Sequence, residues 1–110
     1  MAKFKPLPTG VWVGAAWISI KRAKDLRHPD NKEKKLHGLW DPETAAIFIS
    51  EDLPMARAWW VLLHELGHAA IDLTSCISLT PAQEERLIDG AFMTFVATLM
   101  SLDLVRFPHA

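Results

Sequence analysis

Trp59-Trp60-Val61-Leu62-Leu63-His64-Glu65-Leu66-Gly67-His68-Ala69-Ala70-Ile71 is an apolar stretch with two imidazoles and one carboxylate set into it. Read as a helix, it stacks the histidines at i and i+4 on one face, close enough to share a metal ion. Glu65, next to the first histidine, then points at a metal-bound water rather than at the metal. Two neutral nitrogen ligands and a carboxylate to take the water's proton are what a zinc hydrolase requires. The apolar surroundings would bury this trio. Burying two histidines and a glutamate is costly unless coordination offsets the cost.

At 110 residues the chain is long enough for one core and not for two, so residues 1–110 are expected to form a single domain. Half of it is hydrophobic and the formal net charge is −1, which suits a soluble globular protein and argues against a general binder of nucleic acid or acidic substrates. Cys76 stands alone, so no intramolecular disulfide can form, which fits a reducing cytoplasm. Lys3 and Lys5 precede the apolar run Val11 to Ile20, as in a signal peptide. Pro6 and Pro8 interrupt the approach, however, and Lys21-Arg22 stands where a small-residue cleavage site belongs, so the run is read as a buried strand. No apolar run reaches the ~18 residues needed to span a bilayer.

Working outward from the histidine helix, residues 1–10 read as an extended, proline-bearing arm and 11–50 as a sheet region. Val11 to Lys21 is apolar on both alternating faces, which predicts a strand covered on both sides. Lys21 to Lys35 is mostly basic. Acidic residues interrupt it and no aromatics lie among the bases, so it is expected to be a solvated loop or hairpin tip rather than a nucleic-acid surface. Leu36 to Trp40 and Ala45 to Ser50 form a hairpin about a type I turn at Asp41-Pro42-Glu43-Thr44. The histidine helix spans 52–73, with Asp52 as its cap and Pro54 in its first turn. After a loop from Thr74 to Leu79, a second helix spans 80–104 and ends at Arg106-Phe107-Pro108. Thr80-Pro81-Ala82-Gln83 supplies a capping hydroxyl, a proline at the first helical position and a glutamine at N3. Leu87, Ile88, Ala91, Phe92, Phe95, Val96, Leu99 and Leu102 repeat at helical spacing as its core face. The fold class is α+β: a short antiparallel or mixed sheet packed on the histidine helix and on a second, glutamate-bearing helix.

A hydrolytic zinc site wants three protein ligands and an open position. Asp89, Glu84 and Glu85 are the candidates for the third. Glu84 lies nearer the centre of the apolar stripe and Glu85 nearer its border, where a substrate can enter. Both stand in the first helical turn, where the dipole favours a charged carboxylate. Helical position alone does not separate them. The metzincin extension would need glycine at position 71 and histidine at 74, and Ile71 and Thr74 exclude it.

The order of strand, hairpin, His-Glu-x-x-His helix, loop and glutamate helix, over Leu36 to Met100, resembles the gluzincins. Its brevity is similar to the minimal members of that clan (minigluzincins), including the ImmA/IrrE-type metallopeptidases of bacteria, mobile elements and phages. In those proteins the ligand glutamate is followed four residues on by Asn or Asp. Glu85-Arg86-Leu87-Ile88-Asp89 matches that register, whereas Glu84 would put Ile88 there, so the resemblance selects Glu85. It also implies that Asp72 accepts a hydrogen bond from the far nitrogen of a ligand histidine. A peptide substrate would lie antiparallel along the strand Ile47 to Ser50. The chain departs from the pattern in lacking any tyrosine to stabilise an oxyanion. His28, His37, His109, Arg86 or backbone donors are the possible replacements. Trp59 and Trp60 are read as packing.

The expected function is a cytoplasmic zinc metalloendopeptidase with one zinc ion per chain, held by His64, His68 and Glu85. Glu65 acts as the general base that drives attack of the zinc-bound water on a peptide bond of a specific protein target. A weak or inactive regulatory module of the same fold is the alternative. A nucleic-acid binder resting on Lys21 to Lys35 ranks last.

Overall fold

The computed structural model describes residues 4–74 and 78–104. Six strands precede the helices: β1 (Gly10–Val13), β2 (Ala16–Ala23), β3 (Arg27–His28), β4 (Asn31–Lys35), β5 (Gly38–Asp41) and β6 (Ala46–Ser50). Four of them form a mixed sheet in the order β1-β2-β6-β5, and β3 and β4 form a separate hairpin. Helix α1 (Met55–Thr74) lies across the sheet. The second helix begins as α2 (Pro81–Arg86), widens into a π-helical segment (Leu87–Phe92) and continues as α3 (Met93–Ser101).

The run expected to be one strand is a hairpin. Val13 pairs with Ala16 across a two-residue turn in which Gly14 has φ +57°, a conformation glycine adopts without strain. Only one face of this hairpin is covered, because the helical layer lies on one side of the sheet. Ile18 and Ile20 point into the core, while Trp12 and Trp17 meet edge-to-face on the open side at 65% and 51% exposure. The second apolar face, expected to be covered, is left open with its tryptophans exposed.

β2 and β6 run parallel, and the β3–β4 hairpin and β5 lie in the crossover between them. β5 then pairs antiparallel with β6 across the turn at Pro42. The Asp41 carboxylate holds that turn, accepting from the Glu43 amide and the Thr44 hydroxyl, and Ala45 takes the left-handed conformation that closes it. The core lies between sheet and helix: Ile18, Ile20, Ile47 and Ile49 on one side and Ala58, Leu62 and Ala69 on the other.

Two helix-level expectations change. Pro54, not Asp52, stands at the head of α1, its carbonyl accepting from the Ala58 amide. Asp52 instead pairs with Lys35 at 2.9 Å, tying β4 to the segment that leads into the helix. On the second helix the Thr80–Gln83 capping box forms in both directions. Its core face is narrower than the apolar spacing implies, however. Ile88 and Val96 are buried, whereas Leu87, Phe95 and Leu102 are exposed, because only a thin strip of this helix meets the rest of the described chain. That strip is set at Gly67, where a Cβ would come within 3.2–3.3 Å of Ile88 and Phe92. The proposed end at Arg106-Phe107-Pro108, and Cys76 and His109, lie outside the described residues.

Candidate metal centre and cleft

Helical spacing places Arg57, Val61, His64, Glu65, His68 and Asp72 along one side of α1, and all of them line a cleft of about 940 Å³. The second helix forms the opposite wall through Glu84, Glu85 and Asp89. Gly38 on β5 brings backbone close to Glu65: a Cβ there would meet its side chain at 3.0 Å and Val61 at 2.6 Å.

The two imidazoles turn their Nε2 atoms toward each other at 3.3 Å. The Glu85 carboxylate faces both, with one oxygen 3.3 Å from His64 Nε2 and the other 2.7 Å from His68 Nε2. Each Nδ1 atom points the other way, at a second carboxylate: His64 Nδ1 at Asp89 and His68 Nδ1 at Glu84, both at 2.9 Å. An ionised carboxylate only accepts, so in a neutral ring whose Nδ1 hydrogen is given to the carboxylate behind it, the Nε2 atom is left with a lone pair for a metal ion. Two such lone pairs and a carboxylate oxygen facing one another are held together by a shared cation, either a proton or a metal ion. Ligands about 2.0–2.2 Å from a tetrahedral metal lie about 3.3–3.6 Å apart, which the two 3.3 Å separations match, while the 2.7 Å approach of Glu85 to His68 Nε2 is shorter and would have to open for an ion to enter. The donor set fits a zinc-like ion with imidazole and carboxylate ligands.

Of the three carboxylates considered from sequence, Glu85 stands in front of both Nε2 atoms, and Glu84 and Asp89 stand behind the rings. Asp89 also belongs to a cluster with His64 and Glu85 whose ligand atoms lie within 4.8 Å of one another, but it approaches His64 from the Nδ1 side. The places of Glu84 and Asp89 behind the rings are not legible from the residues alone, although the Glu85-to-Asp89 spacing of four carries a signal. The resemblance assigned such a place to Asp72, and here the Asp72 carboxylate accepts from the Trp40 indole at 3.1 Å.

Glu65 is buried, and its ligand atom lies within 4.8 Å of those of His64 and His68. Burial pushes its carboxyl above the usual range, while His68, His64 and the Trp40 backbone draw it partly back. At His68 burial works against the charged form, but the Glu84 hydrogen bond and the charges of Glu65, Glu85 and Glu84 outweigh it and raise the imidazole.

The remaining sequence candidates divide. His28 and His37 line the cleft, Arg86 is not among its lining residues, and His109 is not described. Trp60 also lines the cleft, while Trp59 donates its indole hydrogen to the Lys5 carbonyl and secures the N-terminal arm. Strand β6, expected to receive a peptide along Ile47 to Ser50, is paired on both edges, with β2 and with β5. The sheet edge beside the cleft belongs to β5.

No curated protein and no solved structure matches the chain. A family model does: that of the peptidase M78 family, the IrrE N-terminal-like domain, matches residues 22–87, from the end of β2 to the first residue of the π-helical segment. The match covers more than half of the chain and takes in both histidines, Glu65 and Glu85. The chain therefore belongs to the IrrE N-terminal-like domain family and is a metallopeptidase-like α+β domain.

Proposed function

We propose that this protein is a zinc-dependent endopeptidase in which His64, His68 and Glu85 hold the ion and Glu65 is the general base. The observation that carries the reading is the convergence of both Nε2 atoms and the Glu85 carboxylate, with both Nδ1 atoms turned to other carboxylates. Bound there, zinc would act as a Lewis acid, polarising the scissile carbonyl and acidifying water. The chain's own residues do the rest. Glu84 and Asp89 fix the tautomers and orientations of the two rings. Glu65, made more basic by burial, takes the proton of the attacking water and returns it to the leaving amine. The free edge of β5 offers backbone hydrogen bonds to an extended peptide, in place of the fully paired β6. Cys76 and the near-neutral composition suit a cytoplasmic setting, and no helix among the described residues is long and apolar enough to cross a membrane.

The absence of tyrosine supports a second reading, a weakly active or inactive regulatory module. His28 and His37 are the cleft histidines able to replace such a donor, and the loss of one oxyanion donor costs on the order of 10²–10³ in rate. Elemental analysis of zinc per chain tests the site directly. The expected result is about one zinc in the wild type and a large loss in Glu85→Ala. A wild type that takes up no zinc even after its addition would end the peptidase reading.

A further inference from the structure

The cleft is charged unevenly along its length. Glu84, Glu85, Asp89 and Asp72 all stand at the histidine end or beyond it, and each is engaged with an imidazole or an indole. Two cations also line the cleft: Arg57, about two turns before His64 on α1, and Lys34 of β4, whose neighbour Lys35 pairs with Asp52 just ahead of that helix. Both are exposed, and neither forms an ion pair or hydrogen bond among the described residues. Strand alternation puts Lys32 on the same face of β4 as Lys34, whereas Lys35 faces the other way and is spent on Asp52. The net charge of −1 conceals this separation, because it averages the acidic end against the basic one.

From this we infer that Lys34 and Arg57 form a subsite for an acidic side chain of the peptide substrate. The inference rests on the peptidase reading of the metal centre. Arg57 precedes His64 by seven residues, which on a helix is about 10 Å along the axis. An extended peptide covers that distance in about three residues. The preferred substrate therefore carries Asp or Glu about three residues from the scissile bond, on the side of the cleft facing the β4–β5 junction. A basic side chain at that position is repelled by both cations. The basic hairpin, with no aromatics for stacking bases, thereby acquires a role in reading a peptide.

The test uses the Glu65→Gln chain loaded with zinc, so that peptides bind without turnover. The probes are terminally blocked octapeptides of alanine, serine and leucine bearing a neutral fluorophore, with a single Glu, Gln or Lys placed at each position in turn. Binding is read by fluorescence anisotropy after zinc per chain has been measured. At one or two neighbouring positions the Glu peptide is expected to bind at least about fivefold tighter than its Gln counterpart at low salt, and the Lys peptide more weakly. The preference shrinks at high ionic strength. It falls to about one in Lys34→Ala/Arg57→Ala, and Arg57→Glu turns it toward Lys. Equal binding of Glu and Gln peptides, no binding of either by the zinc-loaded chain, or a preference that survives in the double alanine variant overturns the subsite and leaves the metal centre standing. Failure of the chain to take up zinc overturns the peptidase reading, and the subsite with it.

Discussion

Glu65 is the buried carboxylate of the site and accepts no ring hydrogen, whereas Glu84 and Asp89 are bound to the imidazole Nδ1 atoms. The three therefore respond differently to substitution. Glu65→Gln keeps the shape and removes the base, so zinc stays near one per chain while peptide hydrolysis falls by on the order of 10²–10⁴. Full activity in that variant would refute the mechanism. Glu84→Ala leaves the three facing ligand atoms in place but frees the His68 ring, and zinc affinity is expected to fall by about 10–100-fold. Competition with a chelator of known affinity measures this. An unchanged affinity would mean that packing alone orients the ring.

Elements of the site approach closely at two glycines, and each sets a distance within the proposed centre. At Gly67 the second helix comes close enough to α1 for Ile88 and Phe92 to touch the backbone, which fixes how far Glu85 stands from His64 and His68. Gly67→Val forces the helices apart and should destabilise the fold by about 1–3 kcal/mol in denaturant titrations. Zinc should bind more weakly to the folded fraction, and unaltered zinc affinity would separate helix spacing from ligand geometry. At Gly38 an added methyl would press on Val61 and Glu65, so Gly38→Ala is expected to lower turnover more than zinc content.

A different element contact, Lys35 with Asp52, predicts a pH effect. The Lys35 ammonium, by hydrogen bond and charge, holds the Asp52 carboxyl below its ordinary pKa. A depressed folded-state pKa stabilises above the ordinary value and loses that contribution as pH falls through the lowered one. Both side chains are exposed, so salt screens the pair. An NMR titration should find the Asp52 midpoint displaced downward at low salt and restored by Lys35→Ala or by molar salt.

At the scale of the whole molecule, one buried cluster joins the sheet to α1, and the second helix adds to it only by a thin strip. A metal ion bridging α1 and Glu85 would tie that helix down. Zinc should therefore raise the thermal midpoint, with the logarithm of the ratio of its concentration to the dissociation constant, and chelation should reverse the rise. Scanning calorimetry with and without chelator reads it out, and a midpoint indifferent to zinc would count against an ion bridging the helices.

The sequence by itself determined what depends on neighbours within a turn or two along the chain. The i, i+4 histidines, the glutamate beside the first, the Thr80–Gln83 capping box and the turn at Asp41-Pro42 follow from covalent geometry and local hydrogen bonding, and the helical and turn signals for them are strong. Even locally one signal was passed over: Gly14, whose positive φ divides the first apolar run into two strands. Only the tertiary structure decided matters that depend on residues far apart meeting in space. Ile47 to Ser50 looked suited to receive a peptide, but parallel pairing with β2, from the other side of the chain's crossover, closes its second edge. Glu84, Glu85 and Asp89 sit within six residues, and helical position alone could not divide their roles. Their division between the front and back of the imidazoles follows from the close approach of two helices at Gly67, a contact that no periodicity encodes.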